Sequence, residues 1–397
     1  MIGAGVFSAF APAAAAAGTG LLIGLAIAAV VAFCNATASA QLAAAYPTSG
    51  GTYAYGRAEL GPWWGFIAGW CFVIGKLASC AAMALTFAAY AAPPGWERPV
   101  AIVTVAALVT VNYFGVTRTA QLTRVIVVIV LLSLAVVVAA GVAAGPVSQW
   151  WSSSTLTDHG VYGILQSGGL LFFAFAGYAR IATMGEEVRD PSRTIPRAIV
   201  LALGIAVAVY AVVAVTVLAV LGPEATAASV APLADAAAAS GWGWTQPTVR
   251  VGAAAASLGA LLALIAGIGR TTLAMAREDD LPRFLAVVHP RWRVPHRAEL
   301  VVGAIVIVTV AFVDLRGAIG FSSFGVLIYY FIANAAAYRQ AASARRYPRA
   351  LQVLGLVGCT ILVVTLPVLA VAVGVIIVFI GVAYRLFRMR SLRARPR

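Results

Sequence analysis

The sequence predicts an all-α polytopic membrane protein of about eleven full spans and one partial span. Three observations carry this. Apolar residues make up 62% of the 397 and charged residues 10%, with a mean hydropathy of +0.96. A soluble domain is nearer half apolar and a quarter charged. Apolar runs long enough for a crossing, about 20 helical residues, recur along the whole chain. The arginines cluster between alternate runs.

Taken in order, residues 3–17 read as a partial span, opening on Gly3-Ala4-Gly5. Full spans follow at roughly 20–45, 62–91, 99–114, 122–144, 160–185, 196–221, 248–275, 298–314, 318–337, 350–367 and 368–386, the last two parted only at Pro367. A spanning chain must satisfy its backbone internally, and these runs far exceed barrel strands, so each is a helix. The opening stretch has no basic n-region and does not read as a signal peptide. Residues 1–144 and 158–338 are expected to form two repeats, 350–386 the last two helices, and 387–397 a basic tail.

Orientation follows from charge. All but three of the loop and tail arginines fall on one side; the exceptions are Arg98, Arg250 and Arg316. That side, which includes the C-terminal tail, is therefore expected to be cytoplasmic in a cell membrane. The net charge of +14 then sets topology and meets anionic lipid heads, which argues against a nucleic-acid partner. Cys34, Cys71, Cys80 and Cys359 all sit in apolar runs and read as small buried hydrophobes. His159, His289 and His296 show no metal or triad spacing. No metal, cofactor or catalytic centre is expected, and the oligomeric state is not encoded in any feature.

Two segments look interrupted: Gly3-Ala4-Gly5, and Gly177 in the run SGGLLFFAFAGYARIATMGEE (167–187), about 172 positions later. Glycine in a membrane helix also serves close packing. Paired interruptions at matching places in two five-helix halves instead point to an inverted-repeat transporter.

Longer motifs carry a resemblance. MIGAGVFSAFAP, YPTSGGTYAYGRAELGPWWGFIAGW (46–70), FFAFAGYARIATMGEEVRDPSRTIPRAI (172–199) and GRTTLAMAREDDLPRFLAVVHPRWRVPHRAE (269–299) resemble, in order, signatures of the amino acid–polyamine–organocation (APC) superfamily permeases. The resemblance implies the leucine-transporter fold, with 5+5 inverted repeats and two further helices. It also implies movement of amino acids or related amines, commonly with protons or by exchange. MIGAGVF then reads as the middle of the first span, and about a dozen residues plus a short tail are expected to precede Met1.

Broken helices suit an amino acid. A half-helix N-terminus offers N–H groups to a carboxylate, and unwound carbonyls accept from an ammonium. By position, Gly3, Ala4 and Gly5 are expected to donate to the carboxylate. The carbonyls of Met1, Phe173 and Ala176 would receive the ammonium, with Gly177 permitting the turn. The resemblance implies that the Phe173 ring closes over the substrate; otherwise it faces lipid or another helix. Related permeases usually carry Ser in place of Ala4.

Lys76 is the chain's only lysine and the only charge between Leu60 and Pro94. It lies about 14 residues into its span, roughly 21 Å at about 1.5 Å per residue. An intramembrane ionisable group is a functional site by default. A desolvated lysine exchanges its proton readily, which suits proton coupling; alternatively Lys76 stays charged and binds an anionic group of the substrate. The bland alternatives are snorkelling or retention by carbonyls. None of the thirteen acids lies mid-span, so cationic substrates would meet Lys76 without a counter-charge. Neutral or acidic amino acids are expected, with a proton rather than sodium as the coupled ion, since the run ASLGALLALIAGIG offers only Ser257. Glu186 and Glu187 either pair with Arg270 or other loop arginines as an inner gate, or form a solvated helix end. The competing functions are a cationic amino acid or polyamine antiporter and an inactive or sensor-like relative.

Overall fold

The structure, a computed structural model, describes residues 2–46, 50–115, 120–147, 159–178 and 190–393. Its helices are α1 (Gly5–Ser8), α2 (Phe10–Ala17), α3 (Leu21–Ala45), α4 (Gly51–Leu60), α5 (Pro62–Ala91), α6 (Glu97–Tyr113), α7 (Ala120–Ala144), α8 (Gly160–Phe175), α9 (Pro191–Ala228), α10 (Pro232–Ala238), α11 (Thr245–Arg277), α12 (His296–Phe312), α13 (Leu315–Arg339), α14 (Arg349–Thr365) and α15 (Val368–Arg393). No strand occurs among the described residues, and the expected all-α architecture is what is found. Seven described stretches are long and apolar enough to cross a membrane, among them Phe10–Ala45, Pro62–Ala91 and Thr245–Arg277; Gly160–Phe175 and Arg349–Thr365 are shorter apolar helices. Helices α6 and α12, at 17 residues each, are at the short end for a crossing.

Local chemistry explains the boundaries. Gly61, with φ of 103°, ends α4, and Pro62 opens α5 at a position that needs no N–H donor. Asp314 caps α13 by accepting from the Gly317 N–H at 2.9 Å. In α9 the helix breaks at Gly222 (φ 76°) before Pro223, which closes the expected span at 221. Two short helices, α4 and α10, lie in stretches read from sequence as connections. Their apolar residues bury against the bundle: Tyr53 and Tyr55 in α4, Leu233 in α10.

Helices α5 and α13 form the centre. In their most apolar windows 83% and 78% of residues are buried, against 33% for α7 and 22% for α15. The outer helices instead present Val125, Val128, Leu132, Ile376 and Phe379 outward, as a chain solvated by lipid does. In hydrocarbon, close van der Waals packing rather than apolar burial holds helices together. At the α5–α13 crossing a side-chain carbon on Gly325 would stand 2.7 Å from the Cys71 carbonyl oxygen and 2.8 Å from the Gly75 Cα, so the two backbones touch. The four cysteines are free and buried.

Candidate functional site

Helix α8 stops at Phe175 because Ala176 and Gly177 tighten into a 3-10 turn, in which the Ala176 N–H donates to the Phe173 carbonyl. Glycine gives up more backbone freedom than any other residue when held in a helix, so the stop at this point is favoured. At the other interruption, α1 begins at Gly5 with Ala4 as its N-terminal flank and no side-chain cap. The Phe7 N–H donates to the Ala4 carbonyl at 3.0 Å and the Ser8 hydroxyl to the same oxygen at 3.1 Å. The N–H groups of Gly5 and Val6, ahead of Phe7 in the first turn, lie before the first carbonyl the helix itself offers.

The two interruptions meet. A Cβ on Gly5 would lie 2.6 Å from the Ala174 Cα and 2.9 Å from its Cβ, so only glycine lets α1 approach the end of α8 this closely. Ala4 is fully buried, Phe173 is 6% exposed and Ala176 4%, while Gly177 is exposed. Lys76 comes to the same place from α5. It is 5% exposed, and its Nζ donates to the Ala176 carbonyl at 3.2 Å. A lysine and a carbonyl 100 residues apart are thus joined at the end of α8. Of the three carbonyls expected to receive a substrate ammonium, that of Met1 lies outside the described residues, that of Phe173 accepts from the backbone and that of Ala176 holds the lysine's own ammonium.

Two tyrosines that sequence reasoning missed complete the surroundings. The Tyr90 hydroxyl donates to the Phe7 carbonyl at 2.9 Å, with its ring edge-on to Phe7. The Tyr210 hydroxyl donates to the Ala174 carbonyl at 3.1 Å and its ring lies against Phe175. The available signal was a phenol inside an apolar helix, which needs a partner when buried. Ser257 is fully buried and its hydroxyl has no hydrogen-bond partner among the described residues.

Of the remaining expected residues, Met1, Glu186 and Glu187 lie outside the described residues. Arg270 is exposed on α11. The arginine-rich face carries another network. Asp280 accepts from Arg57 at 3.0 Å and from the Tyr53 hydroxyl at 2.8 Å, and pairs with Arg385 of α15 at 3.2 Å. Arg57 also reaches Glu278 at 3.1 Å. The Arg385 guanidinium lies over the rings of Trp63 and Phe66, at 4.8 and 4.6 Å. Asp279 binds Arg283 at 2.7 Å and Arg388 at 2.8 Å. Arg283 above all, with Arg388, holds the Asp279 carboxyl at about 2, below its ordinary 3.8. Burial, then the Asp280 charge, pushes the Tyr53 phenol up. The network ties α4, α5, the end of α11 and α15 together. Among the described residues no group of His, Cys, Asp and Glu is assembled for a metal ion.

With this geometry in view, comparison with known proteins is direct. The amino acid permease family profile matches residues 1–392. An uncharacterised transporter of Mycobacterium bovis is 58% identical over 396 residues, covering 100% of this chain and 90% of that protein. Cationic amino acid transporter 7, chloroplastic, of Arabidopsis thaliana is 26% identical over 367 residues, 86% of this chain and 63% of its own length. A branched-chain amino acid permease of Bacillus subtilis is 24% identical over 322 residues, 75% of this chain and 68% of its own.

Proposed function

The chain belongs to the amino acid permease family, and on that premise we propose that it is a secondary active carrier of the cell membrane, working by alternating access on neutral or acidic amino acids, by proton-coupled uptake or by exchange. The N–H groups of Gly3, Ala4 and Gly5 receive the substrate carboxylate. The carbonyls of Met1, Phe173 and Ala176 are the ammonium's partners, with Gly177 allowing their exposure and the Phe173 ring closing over the site. The arginine-rich face is cytoplasmic, and Arg270, Glu186 and Glu187 belong to the inner gate.

The observation that carries this reading is the Lys76 Nζ on the Ala176 carbonyl at 3.2 Å. The lysine ammonium and a substrate ammonium cannot share that oxygen at hydrogen-bond distance in a low dielectric. Substrate entry therefore requires Lys76 to give up its proton or to turn toward an anionic group of the substrate. The first route couples transport to a proton; the second selects acidic substrates. Both disfavour a cationic side chain, because among the described residues no carboxylate pairs with Lys76. The relatives' names divide between cationic and branched-chain substrates, and the uncompensated lysine favours the second.

The test is counterflow of radiolabelled leucine, alanine, glutamate and arginine in proteoliposomes, with wild type and Lys76→Met. Competition by arginine but not by the other three would overturn the substrate reading. Uptake and pH dependence in Lys76→Met identical to wild type would remove the role of Lys76.

A further inference from the structure

Glu299 is a buried carboxyl group that the carrier reading leaves without a task. It lies in the first turn of α12, on the arginine-rich side, and is 2% exposed. Its Oε2 has no hydrogen-bond partner among the described residues. The side chain packs on the backbone of α11: a Cβ on Gly269 would stand 2.9 Å from its Cγ and 3.5 Å from its Oε1. Asp280, the other buried carboxyl group on this side among the described residues, differs in having Arg57, Tyr53 and Arg385 around it.

A sealed carboxyl group with an unpartnered oxygen needs either a proton or a cation. Its surroundings offer one of each. Arg270, the residue after Gly269, is the positive charge that acts on it from α11. On its own helix, His296 sits one turn earlier on the same face, with a buried Nδ1 that has no partner among the described residues, and is followed by Arg297. His296 stacks edge-on against His289 at 5.2 Å and against Tyr113 of α6 at 5.9 Å. Burial, then His289 and Arg297, lowers the His296 pKa, which favours the neutral ring. The neighbouring 3-10 turn, Arg283–Ala286, offers Arg283, which is tied to Asp279. From α5 the only charge is Lys76, held by Ala176.

We propose that Glu299 is a second proton-binding site of the carrier, filled from the arginine-rich side through His289 and His296, and that it exchanges its proton for Arg270 as the inner side rearranges. The neutral acid fits the packing against Gly269. The carboxylate requires Arg270, so loading or unloading this one proton moves α11 and α12 relative to each other. This deepens the proton-coupled reading and rests on it for its part in transport; the binding of the proton itself does not depend on that reading.

The test pairs two readouts on reconstituted protein. Infrared difference spectra across pH read the C=O stretch of a protonated carboxyl group, and counterflow of the preferred amino acid is measured over the same range. Wild type is expected to show a titrating carboxyl band that Glu299→Gln lacks. Arg270→Gln, which removes the partner of the ionised form, is expected to shift the pH midpoint of that band. Glu299→Gln is expected to keep counterflow but lose its pH response. A band unchanged by Glu299→Gln, or no such band in wild type, overturns the proposal. If the band behaves as expected while wild-type counterflow ignores pH, the site stands and the proton-coupled reading falls.

Discussion

Replacing Gly5 with alanine tests whether the meeting of the two interruptions sets the working geometry. Two effects oppose each other. Alanine favours a helix over glycine by up to about 1 kcal/mol, which would stabilise α1. The added methyl, however, would stand 2.6 Å from the Ala174 Cα and 2.9 Å from its Cβ. Carbon atoms in contact sit about 3.5–4.0 Å apart, so α1 and the end of α8 must separate by roughly 1 Å. The Tyr210 hydrogen bond to the Ala174 carbonyl at 3.1 Å and the Tyr90 bond to the Phe7 carbonyl at 2.9 Å resist that movement from both sides. Overpacking of this kind costs about 1–3 kcal/mol, which exceeds the gain in propensity. Because the clash belongs to this conformation, its population relative to the others should fall about 5- to 150-fold. The assay is the thermal midpoint of the purified protein together with counterflow in proteoliposomes. A lower midpoint and a counterflow rate reduced at least several-fold are expected. If Gly5→Ala melts at or above wild type and exchanges amino acid at the wild-type rate, the two interruptions do not depend on this contact and the reasoning fails.

Tyr90→Phe removes one hydrogen bond and leaves the Phe7 carbonyl buried, so a loss of about 1 kcal/mol in unfolding free energy is expected by denaturant melting, with no change of topology. Arg385→Met strips Asp280 of one partner and Trp63 and Phe66 of their cation. Because Arg57 and Tyr53 remain on Asp280, the expected loss is about 2 kcal/mol rather than the larger cost of an orphaned buried charge; an unchanged melt would mean that α15 does not contribute to the network. The Asp279 carboxyl, held at about 2 against an ordinary 3.8, gives stability that is complete above the ordinary value and is lost as pH falls from there toward 2. Melting curves should therefore show its full and pH-independent contribution at neutral pH, and Asp279→Asn should remove part of the acid-side decline.

The apolar runs made the fold legible because lipid solvation imposes one rule over about 20 residues at a time, and α5 falls on its expected bounds of 62 and 91. The amphipathic α4 was not legible in that way. Its Tyr53 and Tyr55 are buried by helices far away in sequence, and its own composition reads as a polar connection. Lys76 stood out as an isolated charge, yet its acceptor did not: a carbonyl leaves no mark on the identity of Ala176. The Asp280 network was hidden for another reason, since it joins Arg57 and Arg385 across more than three hundred positions through residues that are ordinary loop charges when read singly. Glu299 was counted among acids outside mid-span, and its burial depends on Gly269, whose missing side chain makes the room.

The touching backbones of α5 and α13 give the carrier a datum. Any side chain at position 75 or 325 would crowd the facing backbone, so this contact is kept where the two helices travel, or stay, as one girder. Lys76 is the residue after Gly75 and is mounted on that girder, whereas Ala176 ends a helix outside it. The gap between them is then a ruler fixed at one end. Probes placed on α5 and at the end of α8 would read the progress of the transport cycle as a single changing distance, without the identity of the transported amino acid entering the measurement.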